Sequence, residues 1–289
     1  MKRLTVVPIG GLCNRLRVVL SALSLARSDR DVRVRVEWAK NSECKAAFTD
    51  LFLPVKEENF CITRRRILHI PDRRRNLHIP MRLRSFFYDA QYADFHLEKH
   101  PPIGTLLKPD THIYLSTCYE IFSSSPYAKA HVELALRPEL QQRVDCLAEC
   151  FSPDTVGVHI RRGDHALSIR TSPTEAFIAA MEAEVAENAA TSFFLATDDK
   201  ALKTTLQAAF PGRIFIQDTA LLRRNSLAGM QEAVVDLWCL ARTKKILGSY
   251  WSSFSGTAAE IGQIPLQIIG AESAEQLPSN NEETRICDQ

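Results

Sequence analysis

The sequence predicts an α/β protein built from two Rossmann-like units, and three observations predict it. Residues 4–38 read as strand, glycine loop, helix and strand, the opening of a Rossmann-like unit. From Thr155 to Ile269, short β-branched runs alternate with helical patterns, which implies a doubly wound parallel sheet. Polar clusters directly follow three of those runs, where open parallel sheets bind ligands.

The totals narrow the function classes. The 289 residues suffice for two domains of ordinary size, and 45% are hydrophobic, as in soluble globular proteins. A net charge of +2 argues neither for nor against nucleic acid. Eight cysteines occur with no CxxC pair, which disfavours a structural zinc site and fits reduced thiols in the cytoplasm. Met1-Lys2-Arg3 leads straight into a strand, so no signal peptide is expected. No run of about 18 apolar residues suggests a membrane span.

Leu4 to Ile9 reads as the first buried strand. Gly10, Gly11, Leu12, Cys13 and Asn14 form a tight loop, and a helix is expected from about Arg15 to Arg27, with Leu16, Val19, Leu20 and Leu23 on one face. The loop is neither GxGxxG nor a P-loop, although its amides can receive an anion at the helix start. A plain β–α turn explains it equally well. Val32 to Trp38 is the second strand.

RRRILHIPD at 64–72 is followed at once by RRRNLHIPM at 73–81. Between Cys61 and Arg84 stand eight arginines and one aspartate. Each unit ends near a proline, so two short exposed strands or arms are expected. A solvated face is the default for such a run. It also suits an anionic acceptor or peripheral contact with a membrane through Arg64–Arg84. No aromatic residue is interleaved with these arginines, which disfavours nucleic acid.

His112 to Ile121 reads as a strand, and a helix follows Pro138 with Leu140, Val144 and Leu147 in register. The domain boundary is expected near 130–150, giving domains 1–140 and 141–289. In the second half, strands 155–160, 192–196, 213–216, 244–248 and 266–269 alternate with helices at about 173–187, 200–209, 227–241 and 255–262. The first of those helices is capped by Ser172 or Thr174. The tail from Glu272 is acidic and polar, and its end is expected to be mobile.

The three polar clusters are HIRRGD at 159–164, TDD at 197–199 and SYWSSFS at 249–255. Parallel strands put all three on one sheet edge. Arginines suit phosphates, carboxylates suit ribose hydroxyls or the N–H edge of a purine, and serines at a helix start suit phosphate oxygens. Each cluster alone has a plain alternative: Arg161 or Arg162 paired with Asp164, Asp198 or Asp199 capping a helix, and Ser252 to Ser255 doing likewise. Together they describe a nucleoside diphosphate site.

GGLCNRLR at 10–17, HIRRGD at 159–164, ATDD at 196–199 and WSSFSGTAAEIG at 251–262 resemble, in order, the motifs of the fucosyltransferase superfamily. That group includes α1,2- and α1,6-fucosyltransferases, the nodulation fucosyltransferase and the protein O-fucosyltransferases. The resemblance implies a GT-B arrangement, two Rossmann-like domains facing across a cleft. It also implies GDP-fucose as donor, inversion at the anomeric carbon, and neither metal nor other cofactor.

Residue by residue, the resemblance assigns Arg161 to the β-phosphate, His159 with Asp198 or Asp199 to the guanine, and Ser253, flanked by Ser252 and Phe254, to the phosphate end. Gly10, Gly11 and Asn14 would approach the sugar-phosphate, with Arg162 beside the donor. Asp164 would orient Arg161 or act as base. After Asp164 the chain reads His165-Ala166-Leu167-Ser168, where the α1,6 branch has a lysine and then a glutamate base. The acceptor base is therefore unassigned. The expected partner is a glycan, anionic or membrane-presented. Alternatives are another nucleotide sugar as donor, or a non-catalytic nucleotide- or carbohydrate-binding protein on the same scaffold.

Overall fold

A computed structural model describes residues 1–122, 134–163, 166–218 and 225–270. The chain forms two compact units, Met1–Arg137 and Pro138–Gln289. Asp164, His165 and the acidic tail from Glu272 lie outside the described residues. No described helix is long and apolar enough to cross a membrane.

The first unit is built on strands β1 (Lys2–Pro8), β2 (Val32–Trp38), β3 (Phe60–Arg64), β4 (Ala90–Tyr92) and β5 (His112–Thr117). Their order is β3-β2-β1-β5-β4, and every pairing is parallel. Val6, Val34 and Val36 are fully buried, each worth about 1.5–3 kcal/mol over exposure. Helix α1 spans Leu12–Ser28, so it starts before the expected Arg15. Gly10 takes φ +81°, and a Cβ there would lie 2.9 Å from Asn14 Nδ2. That left-handed residue turns the chain sharply enough for Gly11 to be the N-cap.

The arginine repeat does not form strands or arms. Beyond β3 it folds into two 3-10 turns, Ile67–His69 and Arg74–Asn76, and the short helix α2 (Ile79–Arg84). Leu77 and His78 both adopt left-handed φ, which ends any extended run. Pro80 sits in the first turn of α2, where its missing N–H removes no helical bond. The segment is the crossover from one edge strand to the other and is tied to the sheet by polar groups. Buried His69 joins buried Glu37 through Nδ1 and Tyr88 Oη through Nε2, the latter at 2.8 Å. Helix α3 (Ile103–Leu106) precedes β5.

His112 sits on the sheet against Thr5 Oγ1 at 3.0 Å and the Tyr88 ring. Burial, then Arg3 and Arg35, push its pKa from 6.5 down to about 4. A histidine neutral in the fold but protonated near 6.5 when unfolded gives stability above that pH which is lost as pH falls toward 4. The melting temperature is expected to drop across that window, and His112→Gln should flatten the drop. An unchanged slope in the variant would remove His112 as its source.

The second unit contains α4 (Pro138–Ala148), β6 (Thr155–Ile160), α5 (Ala166–Thr171), α6 (Thr174–Glu187), β7 (Ser192–Thr197), α7 (Lys200–Ala209), β8 (Ile214–Ile216), α8 (Leu227–Leu240), β9 (Ile246–Ser249), α9 (Ser253–Gly262) and β10 (Leu266–Ile269). The all-parallel sheet has the order β10-β9-β6-β7-β8. All six residues of β6 are buried, as its central place requires. Val156, Val158, Phe177, Met181, Phe193 and Leu206 lead the core. The α8–α9 packing is close: a Cβ on Gly262 would stand 2.1 Å from the Ala241 carbonyl oxygen.

Candidate functional site

The carboxyl ends of β6, β7 and β9 carry the three polar clusters on one edge of the second sheet. Side chains from the neighbouring ends fix the backbone after β6. Ser249 Oγ accepts the Arg161 amide at 3.0 Å. The Asp198 carboxylate accepts the Arg162 amide through Oδ1 at 2.7 Å and the Gly163 amide through Oδ2 at 3.1 Å. A Cβ on Gly163 would meet that same oxygen at 2.8 Å, so glycine lets the clasp close. Asp198 thus positions the loop that carries Arg161.

The two arginines have different surroundings. Arg162 turns into the unit, where its guanidinium donates to the carbonyls of Arg161 (3.0 Å) and Ser172 (2.9 Å) and to Thr174 Oγ1 (3.1 Å). It also lies 6.0 Å from the Phe177 ring centroid. Burial lowers its pKa from the ordinary arginine value, against the pull of Asp198 and Asp199. Arg161 is half-buried at the strand end.

The two aspartates also divide their work. Asp199 caps α7, accepting the Ala201 and Leu202 amides at 2.8 and 3.2 Å. This is the plain alternative the sequence offered. Both carboxylates are therefore engaged by backbone amides.

His159 is buried, with Nδ1 2.9 Å from Ser255 Oγ and its ring stacked on Phe254 at 4.7 Å between centroids. Phe254 itself is half-buried. Trp251 has φ +56°, strained for a bulky residue, at the turn from β9 into α9. Ser252 is the N-cap of α9, yet its side chain makes no cap bond, and its buried Oγ has no hydrogen-bond partner. A buried hydroxyl at a helix N-terminus, beside unsatisfied amides, suits an incoming anion. Ser253 is half-buried in the first turn of the same helix.

Sequence reasoning missed the organising role of Ser172. It is not the N-cap of α6, which is Pro173. Its Oγ donates to the Ile269 carbonyl at 2.6 Å and accepts the Tyr250 amide at 2.8 Å, while its own carbonyl receives Arg162. One serine so joins the ends of β6, β9 and β10. No signal in the sequence marks it.

In the first unit, Gly10, Gly11 and Asn14 lie at the β1–α1 turn. Arg15, which the sequence reading left as an ordinary helical residue, is fully buried beneath that turn. Its Nε donates to the Gly10 carbonyl at 2.6 Å, and its other nitrogens reach the Ala39 carbonyl, Asn41 Oδ1 and Glu43 Oε2. Asp164 lies outside the described residues, so its place relative to Arg161 is not described.

No family model matches this sequence, and no curated protein matches it. Solved structures do. NodZ α-1,6-fucosyltransferase soaked with GDP-fucose aligns with TM-score 0.60 and 20% identity, over 90% of this chain and 93% of that one. NodZ from Bradyrhizobium aligns with TM-score 0.59 and 17% identity, over 89% and 93%. POFUT1 in complex with GDP gives 0.55 and 12%, over 93% and 98%. This chain has the fold of these fucosyltransferases. FUT1 of Arabidopsis thaliana with GDP aligns at 0.58 and 12%, over 92% of this chain and 70% of that one. At such identities the likeness is one of fold, and the chemistry must be argued from this chain's own residues.

Proposed function

We propose that the chain transfers fucose from GDP-fucose to a glycan acceptor, in the cytoplasm, with inversion at the anomeric carbon and without a metal ion. The observation that carries this reading is the unpartnered Ser252 hydroxyl at the start of α9, on the same sheet edge as Arg161. The fold supports the choice of donor, because similar structures were determined with GDP or GDP-fucose.

In this reading the donor's C1–O bond breaks with oxocarbenium character, and the electron pair leaves on the β-phosphate of GDP. Arg161, Ser252, Ser253 and the first amides of α9 stabilise that charge. His159 and Phe254 contribute to the nucleotide end. Gly10, Gly11 and Asn14 keep the donor role that the resemblance implies. The acceptor hydroxyl attacks C1 and gives up its proton to a base that no described residue is assigned to be. Metal independence is favoured because the adjacent carboxylates Asp198 and Asp199 already serve backbone amides.

Calorimetric titration with GDP and UDP, and turnover of GDP-fucose with and without chelator, test the reading. GDP binding over UDP, with turnover indifferent to chelator, is expected. Preference for UDP would overturn the donor, and activity lost to chelator and restored by manganese would overturn the metal-free step.

A further inference from the structure

The crossover of the first unit is turned inside out. His69, Asp72 and Arg84 point inward. Arg84 is 1% exposed and holds together the carbonyls of Leu68 and Ile70, the carboxylate of Asp72 and the amide of Gln91. Its guanidinium also lies 4.2 Å from the Tyr114 ring centroid. Asp72 Oδ1 accepts the Met81 amide at 3.1 Å. These bonds bind the Ile67–His69 turn and α2 into one fixed surface.

The apolar side chains face the other way. Ile67 is 85% exposed, Phe86 82%, Leu77 70% and Phe87 63%. Around them Arg64, Arg73, Arg74, Arg75 and Arg82 are exposed. Asp72, the one acid between residues 61 and 84, is already held by Arg84.

We infer that this surface, residues 64–87 of the first unit, docks on an anionic lipid membrane. Its polarity is what a lipid interface selects: apolar side chains reach past the headgroups while arginines meet the phosphates. A soluble polyanion would use the arginines and leave Ile67, Leu77, Phe86 and Phe87 in water. The apolar groups are carried on separate short turns that alternate in sequence with the arginines, which suits a fluid surface that needs no matching shape. The inference stands apart from the identity of the donor.

Co-sedimentation of the full chain with phosphatidylcholine vesicles, with and without phosphatidylglycerol, tests it. Binding is expected only to the anionic vesicles and should weaken as salt rises. F86D/F87D should reduce that binding about tenfold or more, since two inserted rings are replaced by charges. R73Q/R74Q/R75Q should flatten its salt dependence. F87W should shift its emission to the blue on anionic vesicles. GDP titration of each variant runs in parallel, so loss of vesicle binding and failure of the donor reading are read separately. Equal binding to neutral vesicles, an unmoved F86D/F87D, an unshifted F87W, or tighter binding to RNA than to anionic vesicles would each overturn the inference.

Discussion

Replacing Arg161 with alanine is expected to cut transfer from GDP-fucose about a hundredfold or more, the roughly 3 kcal/mol lost when a donor to developing charge is removed. The loop should survive the change. Its backbone is held by Ser249 at Arg161 and by the Asp198 carboxylate at Arg162 and Gly163, none of which uses the Arg161 side chain. The loss should appear chiefly in kcat/KM, and the melting temperature of the unliganded variant reports separately what the Arg161 side chain gives to the fold. Arg161→Lys should recover part of it, since the charge remains but the fork of donors does not. Arg162→Ala is the contrast. Its guanidinium is committed to Ser172, Thr174 and the Arg161 carbonyl, so the expected loss is in thermal stability first. Transfer by Arg161→Ala within about threefold of the parent would sink the assignment.

The contrast between these neighbours shows how far the sequence reaches. The abrupt change from TVGVHI to RRGD marked the end of β6 correctly, because a fully buried parallel strand has to be a continuous apolar run. The strand at 32–38 was legible for a different reason, the alternation of Val32, Val34 and Val36 with charged residues, and the structure buries those valines. Which arginine turns inward was not legible. It depends on the Ser172 carbonyl and Thr174 hydroxyl, brought up by a later loop whose sequence says nothing of its destination. Asp198 and Asp199 were likewise equivalent as letters. Only the tertiary approach of the 161–163 loop makes one a clasp and the other a cap.

The arginine repeat misled for a physical reason. Similar nine-residue units suggested similar structures, yet His69 is buried against Glu37 and Tyr88 while its counterpart His78 is exposed with left-handed φ. Periodicity cannot show which polar side chain a fold will take inside. The three-residue strand β4 and the short helix α5 were missed because neither is long enough to show a period.

Arg15→Met should have the largest effect on stability, about 2–3 kcal/mol, because it strips the shared donor from a set of acceptors. The fully buried guanidinium ties the Gly10 carbonyl to the Ala39 carbonyl, Asn41 and Glu43, and lies 5.5 Å from the Trp38 ring centroid. Burial lowers the Arg15 pKa from its ordinary value, with Glu43 pulling against that loss. Methionine fills much of the volume but donates nothing, so the buried Ala39 carbonyl and the half-buried Gly10 carbonyl lose their partner, while Glu43 and Asn41 can turn to water. The same bonds hold the Gly10 turn, so the variant tests how far that turn depends on what lies beneath it. Urea unfolding followed through circular dichroism and the fluorescence of the three tryptophans should show the drop. If Gly10, Gly11 and Asn14 serve the donor sugar, GDP-fucose turnover should fall further than GDP affinity. A stability change below about 1 kcal/mol would mean that the acceptors find new donors and that Arg15 is not the strut of the loop.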